Sequence, residues 1–328
     1  MNSVPYSRYI FFPVTWYSFL IFTGACAAVF LACREEKRLS LPRDTVIDLA
    51  LRIIPFGIAG ARIYYVLFSW NQFRDNPASV FRIWEGGLAI YGGVIAGLSV
   101  LFLFARKRRI PALQLCDMVA PGLALAQSIG RWGNWFNIEA YGLKVSCTSL
   151  QFFPFAVQVP ADSYSWHLAT FFYESLWDLS VFLFLMVFRR KWQRKTGDVF
   201  FFYLFLYAAG RLVIEELRTD SLYASSSVRI SQLLSVLLCI AVLVRYILLP
   251  CRRKSLFSSV TGCFLIPSAF LFSVFILMFT LSFPVFSSLS PLSAVLFLIV
   301  YSVFMSLCLF TFYFHAGSGE EKNANHQT

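Results

Sequence analysis

Residues 87–109 read GLAIYGGVIAGLSVLFLFARKRR. The run from Gly87 to Ala105 contains no charged residue, and a basic cluster, Arg106–Arg109, follows it directly. A helix that crosses the hydrocarbon core of a bilayer needs about 20 mostly apolar residues, so this run is long enough. An apolar helix that ends in basic residues is typical of a membrane span with a cytoplasmic end. The stretch therefore predicts a membrane protein.

The same pattern recurs along the chain. More than half of the 28 lysines and arginines lie in four clusters, which follow the first, third, fifth and seventh apolar runs: Arg34–Arg43, Arg106–Arg109, Arg189–Lys195 and Arg252–Lys254. By the positive-inside rule these ends are cytoplasmic, which predicts an N-terminus outside. We expect helices near 14–33, 46–69, 87–105, 113–131, 169–188, 198–217, 228–250, 259–283 and 290–314.

Composition excludes the other broad classes. The 328 residues are 58% hydrophobic and only 14% charged, and the mean hydropathy is +0.67. Soluble domains are usually about 25% charged, so this chain is predicted to be an all-α polytopic membrane protein. The net charge of +11 lies in clusters at helix ends, which argues against nucleic acid as a partner. Eight cysteines without a CxxC pair, and three histidines, give no metal-ligand spacing.

The most informative polar segment is residues 130–142, which read GRWGNWFNIEAYG. It places Arg131, Asn134, Asn137 and Glu139 among glycines that include Gly142, at the end of a predicted span. An arginine at membrane depth costs at least ~2.5 kcal/mol on insertion scales, so it needs a partner or a wet cavity. The guanidinium fork suits phosphate, and asparagine amides both donate and accept hydrogen bonds. We interpret the segment as an anion-binding site; the alternative is a polar helix cap.

Other ionisable and aromatic residues interrupt apolar runs. Helical spacing places Tyr207, Arg211, Glu215 and Arg218 on one face of the sixth predicted helix, where Arg211 and Glu215 form either a structural ion pair or an anion site. Further candidates lie toward the same, outer side: Tyr17, Arg62, Tyr91 and Glu174. Their alternatives are an aromatic belt, a snorkelling arginine, helix packing and an interfacial carboxylate.

These segments together resemble the prolipoprotein diacylglyceryl transferase family. The resemblance is spread over residues 13–235, and residues 130–142 are its most specific part. The other matching pieces follow in the family's order: Trp16-Tyr17, 60–65, 84–93, 117–122, Tyr173-Glu174-Ser175, 210–215 and 218–222. The chain departs from the family where Tyr91 replaces a histidine that a number of members carry, and where Leu168-Ala169 replaces a His-Pro pair.

The resemblance implies a function. Such an enzyme moves the diacylglyceryl group of phosphatidylglycerol to the lipobox cysteine of a preprolipoprotein signal peptide, forming a thioether and releasing glycerol phosphate. It needs no cofactor and no metal. The residues then expected to act in catalysis are Arg131, Arg211, Tyr91 and Glu139. Those expected to bind phosphatidylglycerol are Arg131, Asn134, Asn137, Gly142, Glu174, Arg211, Glu215, Tyr17 and Arg62. The general base stays open among Tyr91, Tyr207 and the glutamates.

Organisation and location follow from the same patterns. Residues 1–255 are expected to form the transferase domain with about seven helices, residues 256–315 about two additional transmembrane helices, and residues 316–328 a polar cytoplasmic tail. The protein is expected in the bacterial cytoplasmic (inner) membrane, with its active site toward the outer face. The alternative function is a transporter of an anionic or lipid-like solute, for which paired broken helices and an internal repeat are typical. The sequence shows no such repeat.

Overall fold

Seven α-helices are found within residues 8–12, 14–219 and 229–251, which are the residues that this computed structural model describes. They are α1 (Trp16–Arg38), α2 (Thr45–Phe68), α3 (Ile90–Arg108), α4 (Ala112–Asn137), α5 (Thr170–Lys191), α6 (Asp198–Leu217) and α7 (Ile230–Cys251). Four of them, α1, α3, α4 and α5, are long and apolar enough to cross a membrane. The prediction of a mostly helical chain is thereby confirmed, and four of its helices fit the predicted membrane spans.

The number of spans and the side of the N-terminus stay predictions. The two helices expected at 259–283 and 290–314, the basic cluster Arg252–Lys254 and the tail 316–328 lie outside the described residues.

Two small hairpins depart from the all-α expectation. Strand β1 (Tyr9–Phe11) pairs with β2 (Val14–Thr15), and β3 (Ala156–Val159) pairs antiparallel with β4 (Ser165–Leu168). The second pair lies between α4 and α5, where the sequence predicted no strand. Valines at alternate positions of β3 favour an extended chain, and both are buried. A four-residue strand is too short for its alternation to stand out in a sequence.

The described chain divides into two compact units. The first unit contains the start of α1 up to Gly24, residues 127–185, the rest of α6 from Phe201, and α7. The second unit contains residues 25–126 and 186–200. Long helices run through both, since α1, α4, α5 and α6 each contribute to the two units.

The second unit is built on close contact between α2 and α3. Gly60 and Gly92 face each other across this contact, and a Cβ on Gly92 would overlap the Gly60 carbonyl oxygen. Small residues that let two helix backbones approach are the usual basis of helix association in membranes.

Buried charged side chains of the second unit hold the end of α5 and the start of α6 in place. Asp117 of α4 accepts hydrogen bonds from the backbone N–H of Gly197 (2.6 Å) and of Phe200 (2.8 Å), so it caps the start of α6. Arg189, at the end of α5, is buried with its Nη1 3.4 Å from Oε2 of Glu35. Arg189 belongs to the basic cluster Arg189–Lys195, so a residue that predicts the cytoplasmic side of the helix also takes part in packing.

Candidate active site

Residues 130–137 are helical, so α4 extends beyond the predicted end at residue 131. The segment is therefore a helix with an aromatic face and a polar face. On one face Trp132 and Trp135 stack with ring centroids 6.2 Å apart and pack on Phe171 and Phe153. The aromatic face joins α4 to the β3–β4 hairpin, because Trp135 shares a buried cluster with Val157. The helix therefore has a fixed rotation, which also fixes where Arg131 points.

Arg131 meets Glu174 of α5, and Glu174 is the centre of an arginine cluster. The Oε1 atom of Glu174 accepts from Nη2 of Arg131 and from Nη1 of Arg211, the latter at 3.0 Å. Its Oε2 atom lies 4.0 Å from Nη1 of Arg218. Arg211 also reaches Oε2 of Glu215 with Nη2, at 2.7 Å. We call these five residues the arginine cluster.

The arginine cluster is buried unevenly. The side chains of Glu174 and Glu215 are each 3% exposed, whereas those of Arg131 and Arg211 are 20% and 17% exposed. Within the cluster three guanidinium groups face two carboxyl groups. Charge-assisted pairs of this kind are strong where water is scarce. The geometry thus holds partly open guanidinium groups on buried carboxylates, an arrangement that can accept one further anion.

Gly210 allows α5 and α6 to come close enough for these contacts. A Cβ on Gly210 would overlap Nε1 and Cδ1 of the Trp177 indole. That indole is held in place, because its Nε1 donates to the Leu206 carbonyl oxygen at 3.0 Å. Since Arg211 is the next residue on α6, the spacing at Gly210 also sets the distance between Arg211 and Glu174.

Substituting Gly210→Ala is expected to destabilise the protein and to slow the lipid transfer that the sequence resemblance implies. Overpacking a closely packed contact usually costs about 1–3 kcal/mol. The helices must separate at Trp177, which moves Arg211 away from Glu174. Thermal unfolding in detergent and the transfer rate measure the two effects. Gly97→Ala is the matched control, because the nearest atom to a Cβ there is Cγ2 of Ile53 at 3.8 Å, an ordinary contact. Equal stability of both variants would contradict the prediction.

The end of α4 carries the other polar residues of the segment. Asn137 donates from Nδ2 to Oε1 of Glu139 at 2.7 Å, while its buried Oδ1 has no hydrogen-bond partner among the described residues. Ile138 and Ala140 have φ of 59° and 57°, a left-handed conformation that turns the chain sharply after the helix. Glu139 is exposed, and the Asn134 side chain is half-buried.

Gly142 is a packing position. A Cβ there would lie 2.7 Å from the Leu217 carbonyl oxygen and 2.8 Å from Leu168 Cβ. Its own N–H donates to the Leu168 carbonyl oxygen at 2.9 Å. The glycine thus lets the chain pass between β4 and the end of α6, close to the Leu217 backbone and to the side chains of Leu168 and Thr170.

Tyr17 lies on α1 beside the same segment. Its ring contacts Gly133, where a Cβ would lie 2.7 Å from Tyr17 Cδ2. The neighbouring Trp16 stacks on Phe136 with ring centroids 5.0 Å apart. The Tyr17 hydroxyl is within electrostatic reach of both Glu139 and Arg131. The first unit thus brings together Tyr17, the polar residues of α4 and the arginine cluster.

A histidine of β4 forms a separate polar group next to Gly142. Nδ1 of His167 donates to the Gly142 carbonyl oxygen at 2.8 Å, and Nε2 lies 2.9 Å from Oδ2 of Asp162. Hydrogen bonds from Ser165 and His167 lower the pKa of the Asp162 carboxyl to about 2. The stabilisation from this carboxylate is therefore complete above about pH 4 and is lost as the pH falls toward 2.

The remaining two candidates, Arg62 and Tyr91, belong to the second unit. All five N–H groups of the buried Arg62 donate to backbone carbonyl oxygens of the segment between α2 and α3, namely those of Ser79, Val80, Arg82, Gly86 and Gly87. Arg62 therefore organises this segment. Tyr91 lies at the start of α3, is 37% exposed, and has its ring centroid 6.4 Å from that of Tyr64.

Sequence reasoning missed one buried residue of the site, Asp178. It lies four residues after Glu174 on α5, so helical spacing places both on one face. That spacing was available in the sequence, but the surrounding run is so apolar that a single aspartate gave little signal. Asp178 is 2% exposed.

The fold and the cluster define a helical membrane protein with ionisable side chains between its helices, and comparison with known proteins supplies the family. The family model for prolipoprotein diacylglyceryl transferase matches residues 5–248. A phosphatidylglycerol--prolipoprotein diacylglyceryl transferase of Streptococcus mutans is 46% identical over 245 residues, which are 74% of this chain and 92% of that protein. Enzymes of the same name from Lactococcus lactis and Enterococcus faecalis are 45% and 43% identical, covering 71% and 78% of this chain and 89% and 92% of theirs. The chain belongs to the prolipoprotein diacylglyceryl transferase family, as its motifs predicted.

Proposed function

We propose that the protein transfers the diacylglyceryl group of phosphatidylglycerol to the lipobox cysteine of prolipoproteins. Family membership supports a transferase of this kind and gives no support to a transporter. The structural observation that carries the proposal is the convergence of Arg131 and Arg211 on one oxygen of Glu174. Two arginines from different helices, fixed by a buried carboxylate, form a rigid receptor for the phosphate of a lipid.

The chemistry explains why arginines are needed. The cysteine sulfur forms a bond to the glyceryl carbon, the carbon–oxygen bond to phosphate breaks, and glycerol phosphate leaves with the electron pair. Negative charge therefore grows on the phosphate during the reaction. Donors fixed where charge develops stabilise the transition state more than the ground state. Arg131 and Arg211 are assigned this role.

The other residues support substrate binding in the proposal. Glu174 and Glu215 hold the arginines in place. Polar atoms of the lipid headgroup are bound by residues of the same unit, namely Asn134, Asn137, Glu139 and Tyr17. Gly142 is assigned a place beside the lipid headgroup, as the family resemblance implies. Arg62 supports binding by holding the backbone between α2 and α3, since its N–H groups donate to carbonyl oxygens there. Tyr91 keeps the catalytic role expected from the sequence. Its side chain is exposed, so a substrate can reach it.

Location and direction complete the proposal. The enzyme is a multi-pass protein of the cytoplasmic membrane whose active site opens toward the outer face. Support comes from the basic ends of α1, α3 and α5, since basic helix ends are cytoplasmic. The arginine cluster lies near the start of α5, at the opposite end of that helix from its basic residues. Both substrates, a lipid and a membrane-inserted signal peptide, then reach the site from the bilayer.

One assay tests the activity. The purified full chain is mixed with phosphatidylglycerol labelled in its acyl chains and with a peptide that carries a lipobox cysteine. We expect label on the peptide, and none on a peptide with serine in place of the cysteine. Phosphatidylethanolamine with the same label is the lipid control. Absence of label from the cysteine peptide, with a monodisperse protein, would contradict the proposed function.

The domain division gives a further prediction. We propose that residues 1–255 form the complete transferase and that residues 256–315 add helices which the reaction does not require. A chain that ends at Lys254 is then expected to fold and to keep activity close to that of the full chain, because the family match ends at residue 248. Specific activity and gel filtration measure this.

A chain that ends at Thr219 is the control for this truncation. It lacks α7, whose buried Gln232 donates to Glu216 of α6, and it is expected to lose its fold. A monodisperse but inactive chain ending at Lys254 would show that the C-terminal residues belong to the enzyme.

A further inference from the structure

Asp178 is a buried carboxylate for which the arginine cluster offers no ion pair. It is 2% exposed, and its Oδ2 atom has no hydrogen-bond partner among the described residues. Burying a carboxylate without a partner is costly, so such a group in an apolar helix indicates a function. The residue lies in α5, one helical turn from Glu174 toward the middle of the helix.

Charged and titratable groups face Asp178 from three helices. Glu174 lies on its own helix, Arg131 and Arg211 reach it electrostatically from α4 and α6, and Tyr203 and Tyr207 do so from α6. Tyr203 donates to Oε1 of Gln127 at 3.0 Å, so polar contacts between α4 and α6 continue beyond the arginines. Asp178 thus lies where the arginine cluster meets the interior of the helix bundle.

The carboxylates of the site differ in what their oxygens contact. Glu174 presents one oxygen to Arg131 and Arg211 and the other to Arg218. Glu215 is held by Arg211 at 2.7 Å. Oε2 of Glu174 also accepts no hydrogen bond among the described residues, but an arginine nitrogen lies 4.0 Å from it. Asp178 differs because the described residues give it no ion pair with an arginine, while its Oδ2 accepts no hydrogen bond. Of these three carboxylates, Asp178 has an oxygen best able to take up a proton.

In the proposed reaction the substrate thiol approaches the lipid from the side that faces the bilayer centre, which is the side of Asp178. The phosphate of a lipid lies at the membrane surface and its diacylglyceryl group extends toward the bilayer centre. With the phosphate on Arg131 and Arg211, the glyceryl carbon lies farther along α5, toward the middle of the helix. In a displacement the nucleophile approaches the carbon opposite the leaving oxygen. Asp178 is about one turn, ~5.4 Å, farther along α5 than Glu174 and lies on that side.

We propose that Asp178 accepts the proton of the substrate thiol. The proton passes from sulfur to Asp178 as the sulfur–carbon bond forms and the carbon–oxygen bond breaks, and it then moves to the departing glycerol phosphate. Charge is conserved, since an anionic phosphodiester and a neutral thiol become a neutral thioether and a singly protonated phosphate monoester. The proposal rests on the proposed function, and it supplies the base that the thiol requires.

The test is the pH dependence of Asp178→Asn in the full chain. General base catalysis contributes about 10²–10⁴-fold, so at pH 7 we expect transfer to the cysteine peptide to fall by ~10²-fold or more. The loss shrinks as the pH rises through the thiol pKa near ~8.5, because the substrate then ionises unaided. A selenocysteine peptide is ionised at neutral pH, so it is expected to react at similar rates with both proteins.

Control variants separate this role from packing. Glu216→Gln changes another buried carboxylate, outside the arginine cluster, and is expected to leave the pH profile unchanged. Asp178→Glu keeps a carboxylate and is expected to restore part of the rate. If Asp178→Asn does not fold, Asp178→Ser removes the carboxylate with a smaller side chain and is compared on the same two peptides.

The outcomes separate the two hypotheses. An equal loss at every pH and on both peptides would give Asp178 a structural role and overturn the proposal, as would a variant with the normal rate at pH 7. If the unmodified chain transfers no label to the cysteine peptide, the proposed function itself fails.

Discussion

Arg131→Lys is expected to lower the transfer rate by ~10²–10³-fold while the protein still inserts and folds. Removing one fixed donor from a site of developing negative charge costs about this factor in other enzymes. Arg131 has a specific geometric task, since one guanidinium nitrogen binds Oε1 of Glu174 while the side chain stays 20% exposed. Lysine keeps the charge but has a single ammonium group, so it cannot hold Glu174 and present a planar fork to phosphate together.

The rate with labelled phosphatidylglycerol and the cysteine peptide measures this loss, and thermal unfolding in detergent shows whether the fold is intact. Arg74→Lys is the matched control, because its side chain is 67% exposed and pairs only loosely with Asp75, at 3.7 Å. It is expected to leave both quantities unchanged. Turnover of Arg131→Lys near that of the unchanged chain would remove Arg131 from the site.

Local spacing made part of the arginine cluster predictable. Arg211 and Glu215 are four residues apart on one helix, and the structure places Arg211 Nη2 2.7 Å from Oε2 of Glu215. The apolar runs likewise predicted where the helices lie, because a membrane span must be apolar over its whole length. Such patterns are written within a few neighbouring residues, so a single sequence displays them.

Contacts between distant parts of the chain were not predictable in this way. Glu174 meets both Arg131 and Arg211, and neither is near it in sequence. An early-helix glutamate has the same local pattern whether it is interfacial or central. The same holds for Arg62, whose five acceptors are carbonyl oxygens of a later segment. Every residue has a backbone carbonyl, so the sequence cannot show which of them an arginine contacts. From sequence alone, an arginine that binds phosphate cannot be distinguished from one that organises a loop.

Helix packing was also hidden. The role of Gly210 depends on Trp177 of the preceding helix, which a Cβ on Gly210 would overlap. Gly142 is predicted to lie beside the lipid, and the fold adds that a Cβ there would meet Leu217 and Leu168. A glycine shows that something comes close, and only the fold shows what it is.

Arg211 and its glutamates are expected to act as one coupled unit. Arg211→Ala removes a guanidinium from the developing phosphate charge and is expected to lower kcat/KM by ~10³-fold. Glu215→Gln keeps the shape and one acceptor, so a loss of ~10-fold is expected. Glu174→Gln is expected to cost more than Glu215→Gln, because Glu174 positions Arg131 as well as Arg211. Rates of the single and double variants, measured with the same lipid and peptide, give the coupling.

The double variants decide between a functional unit and a structural ion pair. With Arg211 already replaced by alanine, Glu215→Gln should add little, because the arginine that it holds is gone. Glu174→Gln should still lower the rate in that background, since its contact with Arg131 remains. Fully additive losses for Arg211 and Glu215 would mean that the two act independently. If neither single change lowers turnover beyond its effect on thermal stability, the pair only stabilises α6, and the phosphate must bind elsewhere.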